Sequence, residues 1–450
     1  MSWVTEVRDV ESFARTLAFD ELPLEVVAQA QRCLLDLIGV AAGGATTEAA
    51  AIANRHAATE MISHDAEARL LFDGRHASRA GAAFAGASTI DALDAHDGHV
   101  LTKGHAGVAV LPALLAAIDA GAACSTRDFL AALVAGYEIG TRAGIALHAS
   151  VDDYHCSGAW NALACAAVVA RLLHLDEVAF TEALGIAEYI APRGQILRVC
   201  SYPTMLKDGS AWGAHAGVTA ALLARDRFTG APAVTIMEDR EGVWSGLGQR
   251  WLILEHYFKL YPVCRWAQPA MEAALALKRE HGVAVADIVR IRVESFAEAV
   301  ALGSRCAHPA TTEEAQYSLP YAIAAALRFD HVGAQEVHAS TLRDPALVSL
   351  LESMVLHENA EFSRRFPAER WARVALTLSN GTTLLSDPAT ARGNPENPLS
   401  QEELTAKYHA LANPVLGVQR AELIRSLVQA LPVDDSALAK LVDELLSPIA

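Results

Sequence analysis

The sequence predicts a mainly α-helical protein, with a large all-α domain formed by both chain ends and a smaller α+β lid domain. Up to about residue 230, Ala-, Leu- and Val-rich segments recur with helical spacing. Residues 288–296 and 373–378 instead alternate apolar and polar side chains, with the period of a half-buried strand. The 450 residues also exceed the roughly 250–300 that usually share one hydrophobic core.

The first half of the chain is predicted to consist of buried helices. These segments are apolar on every face, which is typical of helices packed among other helices. Their many alanines permit close packing. The predicted helices cover residues 26–42, 108–122, 126–135, 159–173 and 211–224.

The pattern changes near Pro262, and a further helix is predicted at 319–327. Asn380-Gly381 between two strand-like segments predicts a hairpin. A turn-rich segment at 393–398 precedes a capping box at 400–403, after which the chain is helical to its end. We therefore predict a helical domain at 1–262 and 400–450, and the α+β domain at 263–399.

Composition argues against several classes of protein. The formal net charge is −17 and no half of the chain is basic, so nucleic-acid binding is not expected. A small anionic substrate can still bind to a local cationic pocket. The start of the chain lacks the pattern of a signal peptide, no apolar segment predicts a membrane span, and the seven cysteines are scattered. We expect a cytoplasmic protein with reduced thiols.

The densest polar cluster contains six ionisable residues within twelve positions. They are Asp94, His96, Asp97, His99, Lys103 and His105. Three interpretations are open: a solvated loop, a metal site, because His and Asp are common ligands, and acid–base chemistry on a carboxylate substrate. Four other polar segments precede apolar helices or lie at the domain junction, and they contain His155, Lys207, Arg265 and Tyr321. Taken singly, such residues are more often packed, capping or solvent-reaching side chains.

Motifs for common cofactors and nucleophiles are absent from the sequence. It has no GxGxxG after a strand, no GxxxxGK[ST], no GxSxG and no HExxH. Cys156 directly follows His155, an arrangement that rarely makes a nucleophile–base pair. We therefore predict no cofactor and no bound metal.

Together these segments resemble the MmgE/PrpD family, which includes 2-methylcitrate dehydratase, cis-aconitate decarboxylase and iminodisuccinate epimerase. The resemblance runs over almost the whole chain. Residues 94–97 resemble the family's Asp-x-Asp-Asp, 104–107 its Gly-His-Pro-Ser, 228–230 its Phe-Thr-Gly and 259–265 its Lys-x-Tyr-Pro-x-Cys segment. Residues 315–321 resemble the stretch that carries a site tyrosine. With His155 and Lys207, these five segments make seven matches in order, which makes the resemblance specific.

The resemblance implies the residues of an active site in a cleft between two domains, and a homodimer. His155 falls on the family's histidine, Lys207 on its lysine and Tyr321 on its tyrosine. The catalytic residues implied are Asp94, His105, His155, Lys207 and Tyr321, and the substrate-binding residues are His96, His99, Lys103 and Arg265. We expect His155 or Lys207 to be the base at carbon, and both to be needed for turnover but not for folding.

The sequence departs from the family pattern at a few positions. His96 replaces the second Asp, Gly98 replaces a Thr or Ser, His-Pro-Ser becomes His105-Ala106-Gly107, and Gln268 replaces a common histidine. These changes remove hydroxyl groups and shift imidazoles near the expected substrate. They therefore argue against the citrate-like substrates of the best-known members as the substrates of this protein.

The expected activity is that of a metal-independent lyase of the dehydratase type. It would act on a small di- or tricarboxylate through a carbanion or enolate next to a carboxylate, which needs a tuned acid–base group and cations over the developing charge. Decarboxylation and epimerisation share this intermediate and are alternatives. Two other classes stay open: a metal-dependent hydrolase or lyase using the 94–105 cluster, and a non-catalytic ligand-binding dimer.

Overall fold

The computed structural model describes residues 3–64, 67–239, 242–303 and 308–449. Cys306, one of the seven cysteines, lies outside the described residues. The mainly α fold with a small α+β part is confirmed. The predicted helices agree with the observed ones to within about three residues, except that the helix predicted at 126–135 continues to Ser150.

The N-terminal half is a set of packed helices with one small two-stranded sheet. The helices are α1 (Trp3–Thr16), α2 (Leu24–Gly44), α3 (Glu48–Glu60), α4 (Arg79–Asp91), α5 (Gly107–Asp119), α6 (Thr126–Ser150), α7 (Gly158–Leu172), α8 (Glu177–Ile190), α9 (Ile196–Ser201), α10 (Ser210–Arg225) and α11 (Val234–Met237). Strands β1 (Glu67–Arg69) and β2 (His76–Ser78) pair antiparallel. Patterning did not predict these strands, because three residues are too few to show a period of two.

Small residues set the distance between the central helices. A Cβ on Gly217 of α10 would lie 2.4 Å from the carbonyl oxygen of Ala162 on α7. The two backbones therefore touch, and α5, α6 and α8 surround α7 in the same core. Close packing of this kind is what the Ala-rich sequence predicts.

The C-terminal part contains a four-stranded mixed sheet with helices around it. The helices are α12 (Gln268–His281), α13 (Ala297–Ala301), α14 (Thr312–Gln316), α15 (Leu319–Phe329), α16 (Pro345–Glu352) and α17 (Ala360–Arg365), and the strands are β3 (Ile288–Ser295), β4 (Met354–Glu358), β5 (Ala372–Leu378) and β6 (Thr383–Leu385). The strand order is β4-β3-β5-β6, with β3 parallel to β4 and antiparallel to β5. The hairpin predicted at Asn380-Gly381 joins β5 to β6.

The last three helices return to the N-terminal half. They are α18 (Gln401–Leu416), α19 (Val418–Ala430) and α20 (Ala437–Leu446). Helices α18 and α19 pack on α2, and α20 contacts α6. The Lys407 amine of α18 lies 2.5 Å from a carboxylate oxygen of Asp36 on α2. The domain boundaries at 262 and 400 themselves stay predictions.

Helices α2 and α6 are long and apolar enough to cross a membrane by length and composition. The most apolar windows of these helices are 78% and 94% buried inside the protein. Such burial is what core helices have, so their apolar character is explained by packing within the fold.

Candidate active site

A small cavity of about 40 Å³ lies where the helical part meets the C-terminal part. The helical part contributes Asp94, Lys103, His105, Ile196, Cys200 and Asp208. The junction segment contributes Tyr257, Lys259, Cys264, Arg265 and Trp266, and the C-terminal part contributes Tyr317 and Arg370. Four of the predicted site residues, Asp94, Lys103, His105 and Arg265, therefore share one cavity.

Strained backbone marks three of the predicted residues. Asp94, Lys103 and Lys207 adopt positive φ angles of 44°, 50° and 47°, in the left-handed region that side chains disfavour. Such conformations cost on the order of 1–3 kcal/mol each and cluster at functional sites. The loop between α4 and α5 is anchored by the pairing of Gly98 with Tyr257 and of His99 with Gly104.

Asp94 forms a buried ion pair with a residue that the sequence analysis did not assign. The Lys259 amine lies 2.6 Å from Asp94 Oδ1, and both side chains are almost fully buried. Burial on its own would raise the pKa of Asp94, but nearby positive charge, that of Lys259 foremost, outweighs it and holds the pKa below the usual value. Asp94 is therefore an ionised carboxylate with a neutralising partner.

His105 is a neutral imidazole whose tautomer is fixed by the backbone. Its Nδ1 lies 2.6 Å from the carbonyl oxygen of Asp97, which can only accept a hydrogen bond, so Nδ1 carries the proton. Nε2 therefore holds a lone pair, 4.0 Å from Asp94 Oδ1. Burial, and then the charges of His96 and Lys259, lower the pKa of His105 to about 3. His105 can thus accept a hydrogen bond at Nε2, and an anionic ligand beside it would raise its pKa and make it a stronger base.

A buried network behind the cavity holds this arrangement in place. The Asp97 carboxylate accepts hydrogen bonds from Tyr137 Oη at 2.9 Å and from His256 Nδ1 at 2.7 Å. Burial would raise the pKa of Asp97, but the bond from His256 and its charge lower it overall. The network fixes the backbone of residue 97, and hence the carbonyl that orients His105.

The structure gives a reason for one departure from the family pattern. A Cβ at Gly98 would lie 2.6 Å from Tyr257 Oη and 2.7 Å from His105 Nδ1. A Thr or Ser would therefore not fit at position 98 in this arrangement. The Tyr257 hydroxyl occupies the neighbouring space and lines the cavity, so a hydroxyl is retained from another part of the chain.

Asp208 places a second proton-transfer group in the cavity wall. The hydroxyl of Ser157 donates to Asp208 Oδ2 and accepts the backbone N–H of His105 at 2.9 Å. Burial, and then the charge of Asp91, raise the pKa of Asp208 well above its usual value. Asp208 therefore carries a proton, and a protonated carboxyl group in the wall can act as an acid.

Three cations line the cavity without a carboxylate partner. Among the described residues, no carboxylate oxygen lies within 4.0 Å of the charged groups of Lys103, Arg265 or Arg370. Lys103 lies over the Tyr154 ring, 3.7 Å from its centre, and Arg265 donates to Gln268 Oε1 at 2.7 Å. Burial lowers the pKa of Lys103 to about 8, assisted by Arg370, and that of Arg265 to about 10.

The other predicted residues lie outside the cavity wall. His155 is half-buried and its backbone N–H donates to His148 Nε2 at 3.1 Å. The buried Lys207 amine donates to Gln316 Oε1 and lies 5.8 Å from the centre of the Tyr317 ring, and Lys207 lines a neighbouring pocket instead of the cavity. Burial lowers the pKa of Lys207.

His96, His99 and Tyr321 also lie behind the wall. His96 packs edge-on against His105, with ring centres 4.2 Å apart. His99 Nε2 lies 3.6 Å from a Glu255 carboxylate oxygen. The Tyr321 hydroxyl donates to the carbonyl oxygen of Glu336, away from the cavity that Tyr317 lines instead.

Five polar residues of the wall were not predicted from the sequence: Asp208, Tyr257, Lys259, Tyr317 and Arg370. Lys259 and Tyr317 lie within segments that carry the family resemblance, and Asp208 follows Lys207 directly. The segments that contain these three residues were therefore recognised as part of the site, but the three side chains were not. Arg370 lies in an irregular segment before β5, where no pattern pointed to it.

A metal site was one interpretation of the 94–105 cluster. Across the described ranges, no three or more His, Cys, Asp or Glu side chains are grouped so that they could hold a metal ion. The metal-dependent alternative thus finds no ligand set in that part of the chain. Metal independence itself stays a prediction.

Buried neutral histidines make stability depend on pH. Burial lowers the pKa of His99 and His148 to about 4 and that of His105 to about 3. In the unfolded chain these groups titrate near about 6.5. Below that pH the unfolded state binds more protons, so stability is full above about pH 6.5 and falls as the pH drops toward the folded-state pKa values.

We therefore expect each of these histidines to lower the free energy of unfolding from pH 7 to pH 5, by up to about 1.4 kcal/mol per pH unit, while the raised pKa of Asp208 acts in the opposite direction. Urea unfolding at a series of pH values measures this free energy. His148→Gln serves as a control, because removing one of these histidines should make the slope shallower. A pH dependence that is the same in His148→Gln as in the wild type would contradict the expectation.

Comparison with known proteins agrees with the mainly helical fold and with the family resemblance. A family model described as the MmgE/PrpD N-terminal domain matches residues 8–250, and one described as the MmgE/PrpD C-terminal domain matches residues 261–432. The cis-aconitate decarboxylase-like protein oryM of Aspergillus oryzae is 26% identical, over 96% of this chain and 93% of that protein.

Two further relatives carry the name cis-aconitate decarboxylase. The protein from Aspergillus terreus is 25% identical, over 93% of this chain and 91% of its own length. The protein from Homo sapiens is 26% identical, over 94% of this chain and 91% of its own length. The two family models together cover most of the chain, and the chain belongs to the MmgE/PrpD family.

Proposed function

We propose that this protein is a lyase that acts on a small di- or tricarboxylate through a carbanion next to a carboxylate. The observation that carries the proposal is the cavity itself, which combines three unpaired cations with a neutral histidine and a protonated carboxyl group. The names of the relatives favour decarboxylation of an unsaturated tricarboxylate as the first reaction to test. Dehydration, which the sequence analysis placed first, and epimerisation are the alternatives.

In a decarboxylation, a C–C bond breaks, CO₂ leaves and its electron pair stays on the substrate. Lys103 and Arg265 would hold carboxylates and stabilise the negative charge that spreads onto them. The carbanion then takes up a proton, which Asp208 would supply from its protonated carboxyl group. His105 would offer Nε2 as a hydrogen-bond acceptor, and Ser157, which bridges the His105 backbone to Asp208, would fix the positions of the two groups relative to each other.

The same groups would serve a dehydration. His105 Nε2 would remove the proton next to a carboxylate, and the β-hydroxyl would leave as water with a proton from Asp208. Asp94 would remain ionised beside Lys259 and set the charge next to His105. The roles of His155, Lys207 and Tyr321 as catalytic residues stay predictions that the resemblance implies.

The cavity is small for a di- or tricarboxylate, which supports a movement of one part of the protein when substrate enters. About 40 Å³ is close to the space of one water molecule, roughly 30 Å³ in the liquid. We therefore propose that the segment predicted as a lid moves to admit the substrate. The homodimer also remains a proposal, which light scattering tests.

The decisive experiment is turnover in deuterated water. Purified protein is incubated with cis-aconitate, and in parallel with hydroxytricarboxylates such as 2-methylcitrate, and the products are followed by NMR. We expect loss of CO₂ from cis-aconitate and one deuterium on carbon in the product. Neither reaction nor deuterium incorporation with any of these carboxylates would overturn the proposal and favour the non-catalytic alternative.

The same experiment, repeated with protein treated with a chelator, tests whether the reaction is independent of metal ions. We expect the rate to be unchanged after dialysis against EDTA, and elemental analysis to show no stoichiometric metal, because the residues in the cavity supply acid–base and cationic groups by themselves. A rate that is lost with EDTA and restored by one divalent metal would contradict this expectation.

A further inference from the structure

Arg370 occupies the boundary between the cavity and a larger opening beside it. This opening, the vestibule, has a volume of about 730 Å³ and is lined by residues that include Val100, Glu255 and Asn394. Tyr257, Arg265 and Arg370 line both spaces. These three side chains therefore form the partition through which a ligand would pass from the vestibule to the cavity.

The hydrogen-bonding groups of Arg370 are largely unused. Its Nε is buried and has no hydrogen-bond partner among the described residues. Its Nη2 makes one long hydrogen bond, 3.4 Å, to the carbonyl oxygen of Val100 in the helical part. Arg373, three residues along the chain, shows the usual alternative, since both its Nε and Nη2 donate to the Glu294 carboxylate.

On the cavity side, the charged neighbours of Arg370 are the cations Lys103 and Arg265, whereas the carboxylates of Glu255, Glu369 and Glu396 share the lining of the vestibule with it. Its charge acts on Lys103 and Arg265, whose pKa values burial and this charge both lower. Like charges around a partly buried space repel one another, and an anionic ligand would relieve that repulsion. A guanidinium with a free edge is suited to a carboxylate, which it binds through two parallel hydrogen bonds.

We infer that Arg370 binds one carboxylate of the substrate from the C-terminal side of the cleft and selects for tricarboxylates. This inference rests on the proposed function. The Asp94–Lys259 pair is neutral overall, so Lys103, Arg265 and Arg370 leave three positive charges for the ligand. Three carboxylates match that charge, and a dicarboxylate leaves one cation without a partner.

The position of Arg370 also couples ligand binding to closure of the cleft. Arg370 belongs to the C-terminal part, whereas Lys103 and the Val100 carbonyl belong to the helical part. A carboxylate held between Arg370 and Lys103 would join the two parts. A ligand that reaches both residues would therefore favour the closed arrangement in which the partition is complete.

The test separates binding from turnover with two ligands that cannot react. Propane-1,2,3-tricarboxylate has neither a double bond nor a hydroxyl group, and glutarate lacks its third carboxylate. Calorimetry measures the affinity of both for the wild-type protein, Arg370→Met and Arg370→Lys. Arg364→Met is the matched control, because Arg364 is an exposed arginine of the same part of the chain and lines neither space.

We expect Arg370→Met to bind the tricarboxylate roughly 10- to 100-fold more weakly, the loss of a charged hydrogen-bonded contact. Glutarate binding should change much less, Arg370→Lys should be intermediate, and Arg364→Met should match the wild type. With cis-aconitate as substrate, KM should rise while kcat changes little. Unchanged melting temperatures would show that the variants fold.

The outcomes distinguish this inference from the proposed function. If the wild type binds and converts a tricarboxylate, and Arg370→Met does so with the same affinity, the role of Arg370 is wrong and the proposed function survives. An equal loss for tricarboxylate and glutarate would also refute the selectivity. If the wild type neither binds nor converts any carboxylate, the proposed function fails and this inference fails with it.

Discussion

Replacing His105 with glutamine is expected to lower kcat by ~10²–10⁴-fold, the usual loss when a proton-transfer group is removed. Glutamine keeps a polar group that can donate to the Asp97 carbonyl, but it supplies no basic nitrogen. Because His105 is neutral and forms no close ion pair, the substitution leaves no unpaired buried charge. We expect stability to fall only by about the value of one hydrogen bond, on the order of 1 kcal/mol.

His155→Gln is the informative comparison, because the sequence resemblance implies that His155 is the base. Its backbone N–H bonds to His148, and its side chain does not line the cavity that contains Asp94 and His105. From this placement we expect His155→Gln to retain most of the activity. Steady-state rates for both variants, with melting temperatures as a check on folding, decide between the two histidines. A loss in His155→Gln as large as in His105→Gln would favour the resemblance over the geometry.

The helices could be predicted from the sequence because their composition is extreme. Helix α7 is almost entirely apolar and small, and such a segment can fold stably only among other helices. Strands β3 and β5 were predicted because each alternates over at least six residues. Strand β4 was not predicted, since it is a five-residue edge strand without regular alternation.

The segments of the candidate site were easier to predict than its side chains. Tyr317 and Tyr321 are four residues apart, which would place them on one face of a continuous helix. The chain instead breaks between α14 and α15, so Tyr317 faces the cavity and Tyr321 turns to Glu336. The direction of a side chain near such a break depends on local backbone angles, which a residue pattern does not contain.

Contacts between residues far apart in the chain also could not be predicted from the sequence. Asp94 and Lys259 are 165 positions apart, and no pattern in either segment indicates that the two residues form a pair. Burial makes the pairing consequential, because a charge that loses its partner in a buried site is costly. Lys259 therefore supports both the fold and the charge of the cavity.

Lys259→Met is expected to abolish most turnover and to destabilise the protein by up to about 3–5 kcal/mol, the cost of breaking a buried ion pair. The Asp94 carboxylate would lose the charge that lowers its pKa most and would become protonated or remain buried without a partner. Either result changes the electrostatics beside His105. Urea unfolding measures the stability, and rates measured well below the melting temperature report the activity of the folded protein.

Lys407→Met is the matched control, because Lys407 forms a similar buried pair with Asp36 outside the cavity. Burial raises the pKa of Asp36 even with Lys407 present, so Asp36 would take up a proton and the loss of stability should be smaller. We expect its kcat/KM to fall much less than that of Lys259→Met, because Lys407 contacts the site through the Ala95 carbonyl and not through a side chain of the cavity wall. The double variant Asp94→Asn/Lys259→Met should regain stability, because it has no unpaired buried charge. It should not regain activity, because the Asp94 carboxylate is absent. Near-normal turnover in Lys259→Met would show that the pair is structural only and that the chemistry does not depend on it.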